Sequence, residues 1–354
     1  MPYCAASPKR AVGRSSVCVS VPPITSPIIG RRTLITGALL VLAPLSVLHA
    51  VTAGSVSLSL SESLHALVGD AGTASTLVHE LRLPRAVAAF AVGGMLALAG
   101  ALLQVLLRNP LADPYVLGVS GGASVAMLLA LLLGATEFYA GTFGFFGAAV
   151  SMFLVFGLSR IGGPWTQTRL LLTGVVLATG WGACISLLLA LTPSAQLQGV
   201  VFWLLGDLSV ATHPYIGIAV LVAGLGTALL VARPLNVLAR GETVAAALGE
   251  RPERLRLTIY FLASLLTAVA VGMAGSIGFV GLIIPHVLRL LGGADHRYVL
   301  PNAALLGGSF LVLADTLART ALAPMQLPAG VFTALIGVPV FLYILTRAGQ
   351  RRAI

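Results

Sequence analysis

The sequence predicts an all-α polytopic membrane protein with about ten transmembrane helices and with both termini in the cytoplasm. Of its 354 residues, 58% are hydrophobic and 9% are charged, whereas about 25% of the residues in a soluble domain are charged. Most of its apolar segments approach the ~20 residues that a helix needs to cross a bilayer. They fall at residues 33–53, 86–107, 115–134, 139–159, 170–191, 214–232, 255–275, 277–291, 299–319 and 328–346.

The N-terminal segment 1–32 is polar and basic, which predicts a flexible cytoplasmic tail. It precedes a membrane domain at 33–348 and a second cytoplasmic tail at 349–354. A secretory signal peptide also has a basic start and an apolar run, so processing within the first fifty or so residues is an alternative. Residues 54–81 are predicted to form an external loop that carries a short helix.

The distribution of basic residues predicts the orientation. With the N-terminus inside and ten alternating spans, eighteen of the 21 Lys and Arg residues fall on the inner side. The three on the outer side are Arg82, Arg85 and Arg319. This bias follows the positive-inside rule and supports both the span number and the cytoplasmic termini. It also accounts for the net charge of +10 without nucleic-acid binding.

The stretch from Glu80 to Ser124 organises the chain. Small residues such as Gly93, Gly94 and Gly100 recur through its apolar run. They let neighbouring helices approach closely, so we expect this helix to be surrounded by protein. The sequence RNPLADP at 108–114 then predicts a helix stop and a tight turn.

The segments at 255–275 and 277–291 are less regular. Pro285 interrupts the second, and the sequence GMAGSIGFVG at 272–281 places a glycine at every third position. This spacing is typical of close helix packing or of an irregular turn inside protein. Two half-length helices would fit the spacing equally well.

The residues present exclude several kinds of chemistry. Lys9 is the only lysine, so the chain lacks the glycine-rich loop with a phosphate-binding lysine that an ATPase needs. The three cysteines lack metal-ligand spacing. Among the acidic residues only Asp315 falls inside a predicted span, and Arg319, four residues later, can pair with it. An ion-coupled secondary transporter needs ionisable groups near the membrane centre, so this alternative is disfavoured.

Three motifs carry a resemblance to a known family: LRLPR at 81–85, NPLADP at 109–114 and LGVSGGA at 117–123. Together they resemble the FecCD-type permease subunits of ABC importers for ferric siderophores, haem and vitamin B12, over roughly residues 33–350. The resemblance implies an inner-membrane homodimer with two ATPase subunits inside and a soluble binding protein outside. ATP and Mg²⁺ would be bound by the ATPases, with no cofactor in this chain. A non-transport membrane assembly protein is a further alternative.

The longest inner polar segment, 233–256, predicts two short helices broken at Gly241 and near Gly249. A solvated linker is the alternative, but the run Ala245–Leu248 is too apolar for a free linker and favours a partner surface. The resemblance implies that this segment couples the permease to the ATPase. The residues assigned to coupling are Arg240, Gly241, Glu242, Ala246, Leu248, Gly249 and Glu250.

Two further sites follow from the resemblance. It implies that Asn109, Leu111, Gln167 and Thr168, in two inner turns, close the transport path at its cytoplasmic end. It also implies that Arg82, Arg85 and Arg319 form a basic patch on the outer rim that docks the binding protein. The alternative for these arginines is a role as interface anchors, with Arg319 paired to Asp315.

Overall fold

The structure, a computed structural model, describes residues 27–54, 59–68, 72–161, 163, 166–209, 211, 213–323 and 325–350. The outermost parts of both predicted tails lie outside these residues, and every regular element within them is helical. The helices are α1 (Pro27–Thr52), α2 (Leu60–Val68), α3 (Thr73–Leu106), α4 (Val119–Leu132), α5 (Glu137–Arg160), α6 (Gln167–Leu191), α7 (Ser194–Leu204), α8 (Pro214–Leu230), α9 (Ala232–Leu238), α10 (Glu242–Ala247), α11 (Pro252–Ala274), α12 (Val280–Gly292), α13 (His296–Thr320) and α14 (Ala329–Gln350).

Helix α3 is the centre of the molecule, as its small residues predict. Its most apolar window is 89% buried, and it packs against α1, α8, α11, α12 and α13. The contact with α13 is close because Gly93 faces Gly307. A Cβ atom on Gly93 would collide with the Gly307 carbonyl oxygen and would lie 2.7 Å from the Leu311 Cβ atom. Gly100 brings α3 equally near the backbone of Gly281 in α12. The apolar stripe of α3 is therefore covered by protein rather than by lipid.

The helices that are long and apolar enough to span a membrane number six among the described residues, or seven if the bent pair α8 and α9 forms one span. The bend between α8 and α9 is 58°. Three shorter apolar helices lie at Val119–Leu132, Val280–Gly292 and Ala329–Ile344. Each of the ten predicted apolar segments coincides with one of these helices, and the chain is a multi-pass membrane protein.

The glycine-rich hairpin is resolved as one full helix followed by a short one. Helix α11 runs 23 residues, whereas α12 has only 13. Between them, Gly275 and Phe279 both adopt φ = +70°. A Cβ atom on Gly275 would collide with the carbonyl oxygen of Trp203, so the turn is also a site of close packing. The alternative of two half-length helices is wrong for the first member of the pair.

Helix α7 was not predicted. It follows Pro193, which is well placed to start a helix, and its 11 residues include the apolar run VVFWL. A segment this short falls below the length of a span, so hydropathy alone does not separate it from a loop. The predicted short helix within the external loop is confirmed by α2, and the same loop ends in a π-helical turn at Leu77–Arg82.

Candidate functional site at the two ends of the central helix

The N-terminal half of α3 and the C-terminal end of α13 are joined by a buried ion-pair cluster. Asp315 accepts hydrogen bonds from Arg85 Nε at 3.0–3.1 Å and from Arg85 Nη2 at 2.8 Å. Arg319 Nε lies 3.2 Å from the other carboxylate oxygen, which confirms the predicted pair between these neighbours on α13. Asp207 Oδ1 is 4.0 Å from Arg85 Nη2. One carboxylate thus holds two guanidinium groups.

The other arginine, Arg82, caps α1 together with Arg319. Arg82 Nη1 donates to the carbonyl oxygens of Val51 and Thr52, at 2.8 and 3.0 Å. Arg319 Nη2 donates to Ala50 O at 3.1 Å. The last carbonyls of a helix carry its negative dipole end, so cations are favoured there.

This burial corrects the predicted exposed rim. Arg82 is 4% exposed and Arg319 is 8% exposed, because α1 and Asp315 occupy their hydrogen-bonding groups. The three arginines do meet at one end of the molecule, as predicted. They line a recess of about 320 Å³ together with Glu80, Ser209 and Gln326. Their solvent-accessible surface therefore lies in this recess rather than on a flat patch.

The C-terminal end of α3 leads into a tight turn, as RNPLADP predicts. Arg108 takes a left-handed conformation, with φ = +46°. The Asn109 side chain accepts a hydrogen bond from Leu111 N at 2.9 Å, and Asp113 accepts one from Tyr115 N at 2.9 Å. These side-chain bonds fix the turn. They leave Leu111, a predicted gate residue, 40% exposed at its tip.

The buried side chain of Gln104 forms a hydrogen-bond network next to this turn that was not predicted from the sequence. Gln104 donates to the carbonyls of Ala112, Gly281 and Leu282 at 3.2–3.3 Å and accepts from Arg289 Nη1 at 2.9 Å. Its side chain thus fastens the turn and the start of α12 to α3. The signal was present, because Gln104 is the one amide in the apolar run 86–107.

The second predicted gate element, Gln167 and Thr168, is the first turn of α6. Thr166 caps this helix by accepting a hydrogen bond from Arg169 N at 3.3 Å. Gln167 and Thr168 line an open recess of about 870 Å³. Glu242 and Arg256 line the same recess. The recess therefore places one predicted gate element beside the predicted coupling segment.

The coupling segment folds as predicted, into the two short helices α9 and α10. Gly241 and Gly249 mark the breaks, with φ = +133° and +84°, where glycine has no steric penalty. Ala245 is fully buried, whereas Val244 is 42% and Leu248 is 67% exposed. Helix α10 thus rests on the bundle through one face and presents apolar side chains outward through another.

No group of His, Cys, Asp or Glu residues that could hold a metal ion occurs among the residues described. The candidate site consists instead of hydrogen-bonded and ion-paired side chains at both ends of α3 and of the partly exposed helix α10.

Comparison with known proteins identifies the class. The model of the FecCD transport family matches residues 39–347. The chain belongs to the FecCD transport family. This FecCD permease is 43% identical over 277 residues to the cobalamin import system permease protein BtuC of Halobacterium salinarum, covering 77% of the chain and 74% of that protein.

Two further comparisons extend over nearly the whole FecCD permease. It is 36% identical to the hemin transport system permease protein HmuU of Yersinia pestis over 328 residues, 90% of the chain and 97% of that protein. A solved structure of a metal-chelate type ABC transporter in an inward-facing conformation superposes with a TM-score of 0.78 at 30% identity. That superposition covers 89% of the chain and 99% of the solved chain. The FecCD permease is therefore an ABC transporter permease in both sequence and fold.

Proposed function

We propose that this FecCD permease is the membrane subunit of an ABC importer that carries a metal chelate, such as cobalamin, haem or a ferric siderophore. The observation that carries the proposal is the match to a permease named for cobalamin over 77% of the chain and to one named for hemin over 90% of the chain. The chain itself offers no ATP-binding lysine among its residues, since Lys9 stands alone in SPKR. Energy must then come from separate ATPase subunits.

The ATPase is proposed to bind α10. Val244 and Leu248 are exposed apolar side chains on a six-residue helix at the inner surface, and such side chains favour burial against a partner. Thr243, Ala246 and Ala247 are also exposed and small, so a partner surface can approach the helix backbone. The flanking glycines allow α10 to tilt as a unit.

A homodimer is supported by helix α6, which is the least covered of the long helices. Only 11% of its apolar window is buried within the chain. Its exposed surface includes Thr179, Ala183, Ser186 and Ala190, spaced three or four apart along one face. Small and hydroxyl side chains favour helix–helix contact over lipid contact in a membrane. We propose that a second copy covers this face and that the path runs between the copies.

The proposed topology is ten spans in the inner membrane, with both termini cytoplasmic. The charge bias supports it, and the three short apolar helices α4, α12 and α14 bring the count to ten when α8 and α9 form the seventh long span. A short helix can lie at membrane depth where other helices surround it, and α12 packs against α3 and α13. In this topology the arginine cluster is outside and α10 is inside.

The decisive experiment is reconstitution of the permease with its ATPase and binding protein in liposomes. Uptake of labelled cobalamin, haem and one ferric siderophore is measured with ATP, without ATP and with an imposed proton gradient. We expect uptake of one chelate that requires both ATP and the binding protein. Uptake driven by the gradient alone would instead identify an ion-coupled carrier.

A further inference from the structure

Glu242 joins three segments of the inner surface through one carboxylate. Its Oε1 atom accepts a hydrogen bond from Arg256 Nη1 at 3.0 Å and lies 3.8 Å from Arg108 Nη2. Glu242 is the first residue of α10, and Arg256 lies in the second turn of α11. Arg108 is the first residue of the turn that follows α3 and carries Asn109 and Leu111.

The backbone ties α10 to its chain neighbours α9 and α11, from which Gly241 and Gly249 separate it, but not to the turn after α3. Ala245 is the one buried alanine of α10. A direct link between α10 and this turn must therefore come from side-chain contacts. The Glu242 carboxylate supplies two such contacts, one to a long helix and one to the turn.

The two arginines differ in how firmly they are held. The Arg256 side chain is 11% exposed, whereas that of Arg108 is 38% exposed. Arg108 also holds a left-handed backbone conformation that a non-glycine residue rarely adopts, at φ = +46°. Such strain persists only where surrounding contacts maintain it. Of the two arginines, Arg108 is therefore the less enclosed, and its backbone conformation depends on its contacts.

We infer that Glu242 is a positioning residue that transmits displacement of α10 through Arg108 to the turn bearing Asn109 and Leu111. This inference rests on the proposed function, because it requires an ATPase that moves α10. The bridge explains why the coupling helix begins with an acidic residue. At a helix N-terminus a carboxylate is favoured by the dipole, and here it also reaches two cations.

The test compares Glu242→Gln, Arg108→Gln and the double variant in the reconstituted importer. The readout is the number of ATP molecules hydrolysed per substrate transported. Each single variant is expected to raise this ratio by about 1.4- to five-fold, the fold-change equivalent of a partly exposed ion pair. Because Arg108→Gln removes a contact that Glu242→Gln already removes, the double variant should be no worse than Glu242→Gln alone.

Two matched variants separate this role from general damage. Arg108→Lys keeps the positive charge and should keep a ratio near that of the wild type. Asp295→Asn removes another ion-paired carboxylate of similar exposure, which lies 3.6 Å from Arg32 and outside the segment 233–256, and should leave the ratio unchanged. Nucleotide-dependent crosslinking at Leu111 should weaken in Glu242→Gln and persist in Asp295→Asn.

The possible failures are distinguishable. If the wild-type importer takes up no chelate, the proposed function itself fails. If it transports normally while Arg108→Gln leaves the ratio unchanged, or while the two single effects multiply in the double variant, the relay through Arg108 is overturned and the proposed function stands.

Discussion

Arg85 and Asp315 form a two-pronged ion pair between α3 and α13, although they are 230 positions apart in the chain. Two guanidinium nitrogens reach the carboxylate within 2.8–3.1 Å. The Asp315 side chain is 2% exposed, and its second oxygen is 3.2 Å from Arg319 Nε. The pair therefore links the N-terminal half of α3 to the C-terminal end of α13. The same carboxylate also holds the Arg319 guanidinium group.

Asp315→Asn should lower the stability of the permease markedly. It leaves two buried guanidinium groups without their carboxylate, and breaking a buried pair from one side costs about 3–5 kcal/mol. Thermal unfolding of the detergent-solubilised protein measures the effect. Asp207→Asn is the matched control, since Asp207 lies 4.0 Å from Arg85, and it should change the melting temperature much less. Equal effects of the two variants would contradict the central position of Asp315.

Arg85→Gln should slow docking of the binding protein and flatten its salt dependence. Charge pairs at a docking surface act mainly on the association rate. Reversing the charge of all three arginines is a poor test, because Arg82 and Arg319 also cap α1. Arg85→Lys keeps the charge and should keep the salt slope. Unchanged association kinetics in Arg85→Gln would reduce this arginine to a structural partner of Asp315.

Cysteines at Leu111 and Thr168 should crosslink between two copies of the permease when the inner end of the path is closed. Both positions are exposed within one chain, which suits a contact made only in the dimer. The assay needs a background without Cys4, Cys18 and Cys184, the last of which is exposed. A pair at Leu111 and Leu191, at opposite ends of the membrane, is the control. Absence of the crosslink in every nucleotide state would remove these residues from the gate.

Gly241→Pro and Ala246→Glu should uncouple ATP hydrolysis from transport while leaving membrane insertion intact. Proline cannot adopt the φ of +133° at Gly241. A glutamate at the exposed Ala246 adds an unpaired charge to the proposed ATPase contact. Ala246→Ser preserves the small volume and should retain coupling. Normal substrate-stimulated hydrolysis in both disruptive variants would rule out α10 as the coupling element.

Asp113 should make the stability of the fold depend on pH between about 6 and 3.8. Burial raises the pKa of its carboxyl from 3.8 to about 6. The folded chain then binds the proton more tightly than the unfolded chain, so stability increases as the pH falls through about 6 and levels off below about 3.8. Asp113→Asn does not titrate and retains an oxygen that can accept from Tyr115 N.

The melting temperature of Asp113→Asn relative to wild type is expected to be more favourable at about pH 8 than at about pH 4.5. A difference that is constant across this range, or that grows at low pH, would show that the Asp113 carboxyl is well solvated.

Much of the organisation of this protein follows from the sequence alone. Apolar run length is a local property, so the ten segments coincide with helices in the structure. Gly241 and Gly249 mark the breaks around α10 because positive φ angles favour glycine wherever the rest of the chain lies. The pairing of Asp315 with Arg319 was also predictable, since residues four apart share one face of a helix.

Only the tertiary structure decided how the ends of α3 are held. Arg82 meets carbonyls of α1 that lie 30 and 31 positions away, and Gln104 meets Arg289 at a separation of 185. Hydropathy and spacing carry no information about such partners, because they come together only when whole helices pack. The burial of Arg82 and Arg319, which were predicted at the surface, arises from the same packing, which brings the end of α1 within hydrogen-bonding distance of both guanidinium groups and Asp315 within reach of Arg319.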